Sequence, residues 1–125
     1  RHVKVLVVAP SNTAADVLLA RLSVVIPPSD MLRFMAFHRP PRDVSDAVKK
    51  YTTMDSSREH FAQPALSALM QFRVVVASCT MAAKLHHIGV PRGHFEMLVV
   101  DEAGHAWEPE VIGAIAGLAP ANDEG

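Results

Sequence analysis

Four short apolar runs punctuate the chain: Val3 to Ala9, Met31 to Phe37, Val74 to Ala77 and Met97 to Val100. Val3 to Ala9, rich in Val, suits a strand buried on both faces; Met31 to Phe37 reads as a second strand, Val74 to Ala77 as an unbroken apolar run and Met97 to Val100 as a last buried strand. Between them the period changes. Thr13 to Val25 carries Ala14, Val17, Leu18 and Leu22 at helical spacing, and Thr13 with Asp16 fits the capping-box start of a helix. Pro27-Pro28 stops that helix. Pro64 to Phe72 and Met81 to His87 read as further short helices, with a turn from Gly89 to Gly93. Glu108 to Leu118 is helix-compatible, with Pro109 near its start, where proline is tolerated. From His38 to His60 the pattern fades, and Pro40-Pro41 with scattered charges predicts a long connection. Strands alternating with helices predict an α/β fold, a parallel sheet with helices on both faces. No internal repeat or low-complexity tract interrupts it.

Composition narrows the picture. The chain has 125 residues, half of them apolar, enough for the core of about one domain. Lys plus Arg is 12 and Asp plus Glu is 13, for a net charge of -1. That balance gives no sign of nucleic-acid binding by bulk electrostatics, so any such contact is expected from local groups or from other parts of a larger protein. A single cysteine, Cys79, excludes a disulfide within the chain and favours a reducing compartment. The longest apolar run, Val5 to Ala9, is far too short to span a membrane, and no signal-peptide pattern is visible. Arg1 opens almost directly into a strand-like run, and Ala121 to Gly125 resembles a loop. Both ends are expected to be cuts through a longer protein.

Three of the apolar runs end in polar clusters: Ala9-Pro10-Ser11-Asn12, Ala77-Ser78-Cys79-Thr80 and Val100-Asp101-Glu102. Parallel strands share one carboxyl edge, and ligands bind in the crevice there. The clusters are therefore expected to converge in space. Adjacent carboxylates after four apolar residues are costly unless something uses them. Side chains of neighbours at a strand end point different ways. One can face a cation while the other faces a water, the division that nucleoside-triphosphate motors need. The plainer reading of Asp101 and Glu102 is a strand-end cap or surface ion pair.

Other residues carry weaker signals. Ser11 and Asn12 suit a helix cap, which is compatible with a binding role. Cys79 reads as a small buried residue, since no base partner for a nucleophile is evident. His86, His87, His94 and His105 lack the cysteine partners and spacing of a usual zinc site. Trp107 reads as a packing residue before a base-stacking platform. Arg33, Arg39 and Arg42 form either a solvated face or a weak phosphate patch.

Residues 97 to 110, Met-Leu-Val-Val-Asp-Glu-Ala-Gly-His-Ala-Trp-Glu-Pro-Glu, resemble motif II of the Upf1-like group of superfamily-one helicases. Within that group the likeness is greatest to RNA helicases of the Armitage and Moloney-leukaemia-virus-ten type, in which His after Asp-Glu-Ala-Gly is a variant seen where relatives often have Gln. Ala9-Pro10-Ser11-Asn12-Thr13-Ala14-Ala15-Asp16 is similar to motif Ia of the same group, and Arg73 to Thr80 to the strand and loop of a further RNA-contacting motif. The likeness covers nearly the whole chain, strongly over residues 3 to 25 and 73 to 118 and loosely between 38 and 65.

The resemblance implies part of the first of two RecA-like domains over residues 1 to 125, with ATP bound between the two domains and single-stranded RNA across their tops. Movement in the group is generally 5′ to 3′. Asp101 would be the Mg²⁺-associated acid, acting through water. Glu102 would activate the attacking water. His105 would sit near the γ-phosphate or relay its state to the RNA side. Pro10, Ser11, Asn12, Ser78 and Thr80 would lie along the RNA path, touching phosphate and ribose without reading bases. The implied partners are single-stranded RNA, the second RecA-like domain of the same protein, and silencing or decay factors. The implied setting is the cytoplasm and its ribonucleoprotein granules.

The group's phosphate-binding loop, Gly-x-x-x-x-Gly-Lys-Thr, does not occur in the 125 residues. These residues alone are therefore expected neither to bind ATP tightly nor to hydrolyse it. Two other functions compete: a non-catalytic RNA-binding or scaffold module with a helicase-like fold, and a helicase acting on DNA.

Overall fold

The computed structural model describes residues 3–101, 113 and 117–118. In chain order the elements are β1 (Val5–Ala9), α1 (Asn12–Leu22), β2 (Met31–Phe34), a 3-10 turn (Pro41–Asp43), α2 (Asp46–Lys49), α3 (Leu66–Leu69), β3 (Val74–Ser78), α4 (Cys79–Lys84) and β4 (Met97–Val100). The strands form one sheet in the order β2-β3-β1-β4, every pair parallel. Helices cover both faces, as the alternation of runs predicts.

The register fixes which residues share a face. Leu6 pairs with Val75 and Val75 with Leu32, so these three stand in one row on one side. With Val8, Ala77 and Phe34 they pack against Leu69 of α3 and against Met81, Ala82 and Leu85, on and just after α4. Leu118 joins that cluster. On the opposite side Val7, Val76, Met31 and Ala9 pack against Ala15 and Leu19 of α1. Val44, Val48, Tyr51 and Phe61 complete this second cluster. Each large apolar side chain so buried contributes about 1.5–3 kcal/mol.

Several boundaries differ from the sequence reading, each for a physical reason. α1 is capped by Ser11, whose Oγ accepts from the Ala14 N–H at 3.1 Å, so Thr13 and Asp16 do not form a capping box. The inward stripe of α1 centres on Ala15 and Leu19, while Val17 is exposed. β2 stops at Phe34, and its run of burial ends at Ala36, leaving Phe37 in solvent. α3 is a single turn, shorter than Pro64 to Phe72. α4 begins two residues before Met81, because Ser78 caps it at the Met81 N–H. The predicted helix from Glu108 to Leu118 lies mostly outside the described residues, of which Gly113 is helical.

The stretch from 38 to 60 is more than a connection. It folds back over the α1 side of the sheet and buries Val44, Val48 and Tyr51. The Tyr51 carbonyl accepts from the Arg33 N–H at 2.7 Å, and the Tyr51 hydroxyl donates to the Ile26 carbonyl at 2.6 Å. Phe61, just beyond, is also buried, and Met54 bridges to it. β4 also departs from expectation. Among the described residues it lies at a sheet edge, with Met97 and Val99 exposed on the α1 side.

Candidate functional site

β1 and β3 are neighbours, yet the helices that follow them leave toward opposite faces. α1 packs on one side of the sheet and α4 on the other. Such divergence opens a crevice at the carboxyl ends of the two strands. Ala9 pairs with Ser78 at its floor. The Cys79 thiol, half-buried, donates to the Pro10 carbonyl across it at 3.4 Å. On the other side of β1, the Asp101 N–H donates to the Val8 carbonyl at 2.8 Å, which carries the β4 ladder one residue past Val100. Pro10–Asn12, Ser78–Thr80 and Asp101 thus gather at one edge, as the three strand-end clusters predict. Glu102, His105 and Trp107 lie outside the described residues.

The side chains at this edge are not equally free. Ser11 is exposed and its oxygen caps α1. Ser78 is only 3% exposed. Its hydroxyl caps α4 at the Met81 N–H and lies 3.3 Å from the Thr80 hydroxyl. Thr80 itself is exposed. Ser78 holds the turn, while the Thr80 side chain is open to solvent. Asp101 is half-buried, with no ion pair to any described residue.

Arg33 is the residue that sequence reasoning misplaced. It is neither on a solvated face nor in a phosphate patch. It is wholly buried at the centre of β2. Its Nε donates to Asp16 Oδ1 at 3.0 Å, Nη1 to the Phe34 carbonyl at 2.9 Å, and Nη2 to Asn12 Oδ1 at 3.1 Å. Arg39, largely buried, closes on the other carboxylate oxygen of Asp16 at 2.8 Å. Arg42 alone of the three is exposed. Burial pushes the Arg33 guanidinium below its ordinary value, and the Asp16 carboxylate opposes that shift. The signal was present in the sequence: a lone Arg inside an apolar strand must find a carboxylate.

This network reaches the edge through Asn12. Its carbonyl oxygen is held by Arg33, which turns the side chain and leaves the amide NH₂ without a partner among the described residues. An exposed hydroxyl at Thr80, an oriented amide at Asn12 and a carboxylate at Asp101 therefore stand in a row across neighbouring strands.

A parallel α/β sheet with helices on both faces and polar groups along its carboxyl edge is the architecture of a partial RecA-like domain. No protein-family model and no solved structure matches the chain. Curated relatives do. The chain is similar to the putative helicase MOV-10 of Gallus gallus, 36% identical over 118 residues, which are 94% of this chain and 12% of that protein. It is similar to the RNA helicase Mov10l1 of Homo sapiens, 38% identical over 111 residues, 87% of this chain and 8% of that protein. It is also similar to the probable RNA helicase armi of Drosophila melanogaster, 26% identical over 126 residues, 87% of this chain and 11% of that protein. The chain is a homologue of a segment of the Upf1-like helicases, on the MOV-10 and Armitage side of that family. It spans about a tenth of the length of these relatives.

Proposed function

We propose that the chain is part of the first RecA-like domain of an RNA helicase that couples ATP hydrolysis to movement on single-stranded RNA. The observation that carries this reading is the row at the carboxyl edge, with an acid at one strand tip and short polar side chains at the next two. The likeness to helicases named as acting on RNA supports it.

The row divides labour by position. Asp101 would hold Mg²⁺ through water, and the ion supplies positive charge to the phosphates of ATP. Glu102, next in sequence, takes the proton of the attacking water. His105 senses the γ-phosphate. Thr80, Ser11 and the Asn12 amide meet RNA phosphate and ribose, while Pro10 and Ser78 shape the two turns that present them. Contacts of this kind track a strand without reading its sequence. A second RecA-like domain of the same protein completes the nucleotide site.

RNA-stimulated ATP hydrolysis by the full-length protein tests the reading. Stimulation that disappears in Glu102→Gln is the expected result. A folded full-length protein that binds RNA and hydrolyses nothing would instead identify a non-catalytic RNA-binding module.

A further inference from the structure

At the far end of the row from Asp101, the chain leaves β2 in an unusual way. Phe34, Met35 and Ala36 are buried, and the next residue, Phe37, is 69% exposed. The core does not need this ring. Beside it lies a pocket of about 230 Å³ whose lining includes Phe37, His38, Gln63, Met81 and Lys84. It is smaller than the roughly 300–1,000 Å³ of sites for drug-sized ligands. His38 meets the Phe37 ring edge-on, with centroids 5.7 Å apart and planes at 89°.

We propose that Phe37 and this pocket form a stacking subsite for one unpaired nucleobase of single-stranded RNA. The inference rests on the RNA-binding reading of the strand-end row and extends it to a base. Three observations point to a base before an apolar protein segment.

The first is continuity. Phe34 pairs with Ala77, so the chain just past β2 runs beside Ser78 and Thr80. The pocket shares Met81 and Lys84 with the region that follows Thr80. The strand tips thus run from Asp101 through Asn12 and Thr80 to Phe37, a span of about 14 Å at ordinary strand spacing. The second is polar lining. Gln63 and His38 are exposed and offer both donors and acceptors, as a base edge requires. The third is charge. Lys84 is exposed at the rim and has no carboxylate partner among the described residues, so it suits the phosphate that follows a stacked base. Stacking on an aromatic ring accepts any base, in keeping with a motor that tracks a strand.

Binding of a single-stranded oligoribonucleotide to the full-length protein, followed by fluorescence anisotropy, tests the subsite. Phe37→Ala is expected to weaken binding by about 5- to 150-fold, the range of one lost stacking contact. Phe37→Trp is expected to preserve it. Because Phe37 is exposed, both variants should melt with the wild type. An oligoribonucleotide series with one abasic position moved along the strand gives the decisive comparison. In the wild type one position carries a penalty, and in Phe37→Ala that penalty disappears. Unchanged affinity in Phe37→Ala, or a penalty that survives it, overturns the subsite and leaves the RNA-binding reading standing. A folded wild type that binds no single-stranded RNA overturns both.

Discussion

At one edge of the sheet β2 buries all four of its residues, Arg33 included, while at the other β4 leaves Met97 52% and Val99 43% exposed. Both strands are short and mainly apolar, and among the described residues each has a neighbour on only one side. The difference comes from what covers them. Over β2 the 38–60 stretch folds back, and the Tyr51 carbonyl takes up the outward N–H of Arg33. Beside β4, Val5, Val7, Leu18, Leu22, Ile26 and Val99 line an apolar groove of about 390 Å³. Edge strands are liabilities when left bare, so one edge has been sealed by a charged network and a returning chain. The sealed edge is also where Arg33 turns Asn12 toward the crevice. Packing and site geometry are the same feature there.

The largest effect expected at the sealed edge comes from Asp16→Ala. It leaves a buried guanidinium without its carboxylate, which costs about 3–5 kcal/mol. Native-state hydrogen exchange at the β1 and β2 amides of the full-length protein reads that loss locally. A change below about 1 kcal/mol would show that Arg33 does not depend on Asp16.

A matched pair of substitutions separates the edges more sharply. Val76 is fully buried in β3 on the same face as Val99. Val76→Thr sinks a hydroxyl into the core and is expected to cost about 1–3 kcal/mol. Val99→Thr places the same hydroxyl at a half-exposed position and is expected to change stability by less than about 0.5 kcal/mol. Equal losses in the same exchange measurement would mean that the β4 face is covered in the whole protein.

The smallest effect concerns pH and lies just before β4. The buried Nε2 of His94 has no hydrogen-bond partner among the described residues, and its ring packs edge-on against Phe95. Desolvation, with a smaller push from Lys4, holds its pKa below the ordinary value of 6.5. The unfolded chain then binds more protons than the folded one as pH falls. The stabilisation is complete above about pH 6.5 and is lost progressively below it. Amide protection around β4 should therefore fall between about pH 7 and pH 5, and His94→Leu should flatten that fall. An unchanged slope in the variant would remove His94 from the explanation.

How much could be seen in the sequence follows from the same contrast. Val-rich runs marked β1 and β3 because a buried parallel strand writes its environment into consecutive residues, whereas β4 carries a similar run although Met97 and Val99 are exposed. The meeting of Pro10–Asn12, Ser78–Thr80 and Asp101 followed from the shared edge of parallel strands. The 38–60 stretch hid its core residues: Val44, Val48 and Tyr51 stand at a helical i, i+4, i+7 spacing, but Pro40-Pro41 and the charges scattered around them masked it. Asp16 looked like part of a cap because its true partners, Arg33 and Arg39, lie 17 and 23 residues away. Whether Ser78 or Thr80 faces solvent also depends on the cap geometry of α4, which a sequence pattern does not reveal.

The division of labour along the row is tested most directly by titrating single-stranded RNA into the full-length protein while following steady-state ATP hydrolysis. Thr80→Ala should raise the RNA concentration needed for half-maximal stimulation by about tenfold, the equivalent of one hydrogen bond to a charged group, without lowering the rate at saturating RNA. Asp101→Asn should abolish turnover while RNA binding persists. Turnover surviving in Asp101→Asn, or an RNA requirement unmoved by Thr80→Ala, would contradict the assignment of the two strand tips.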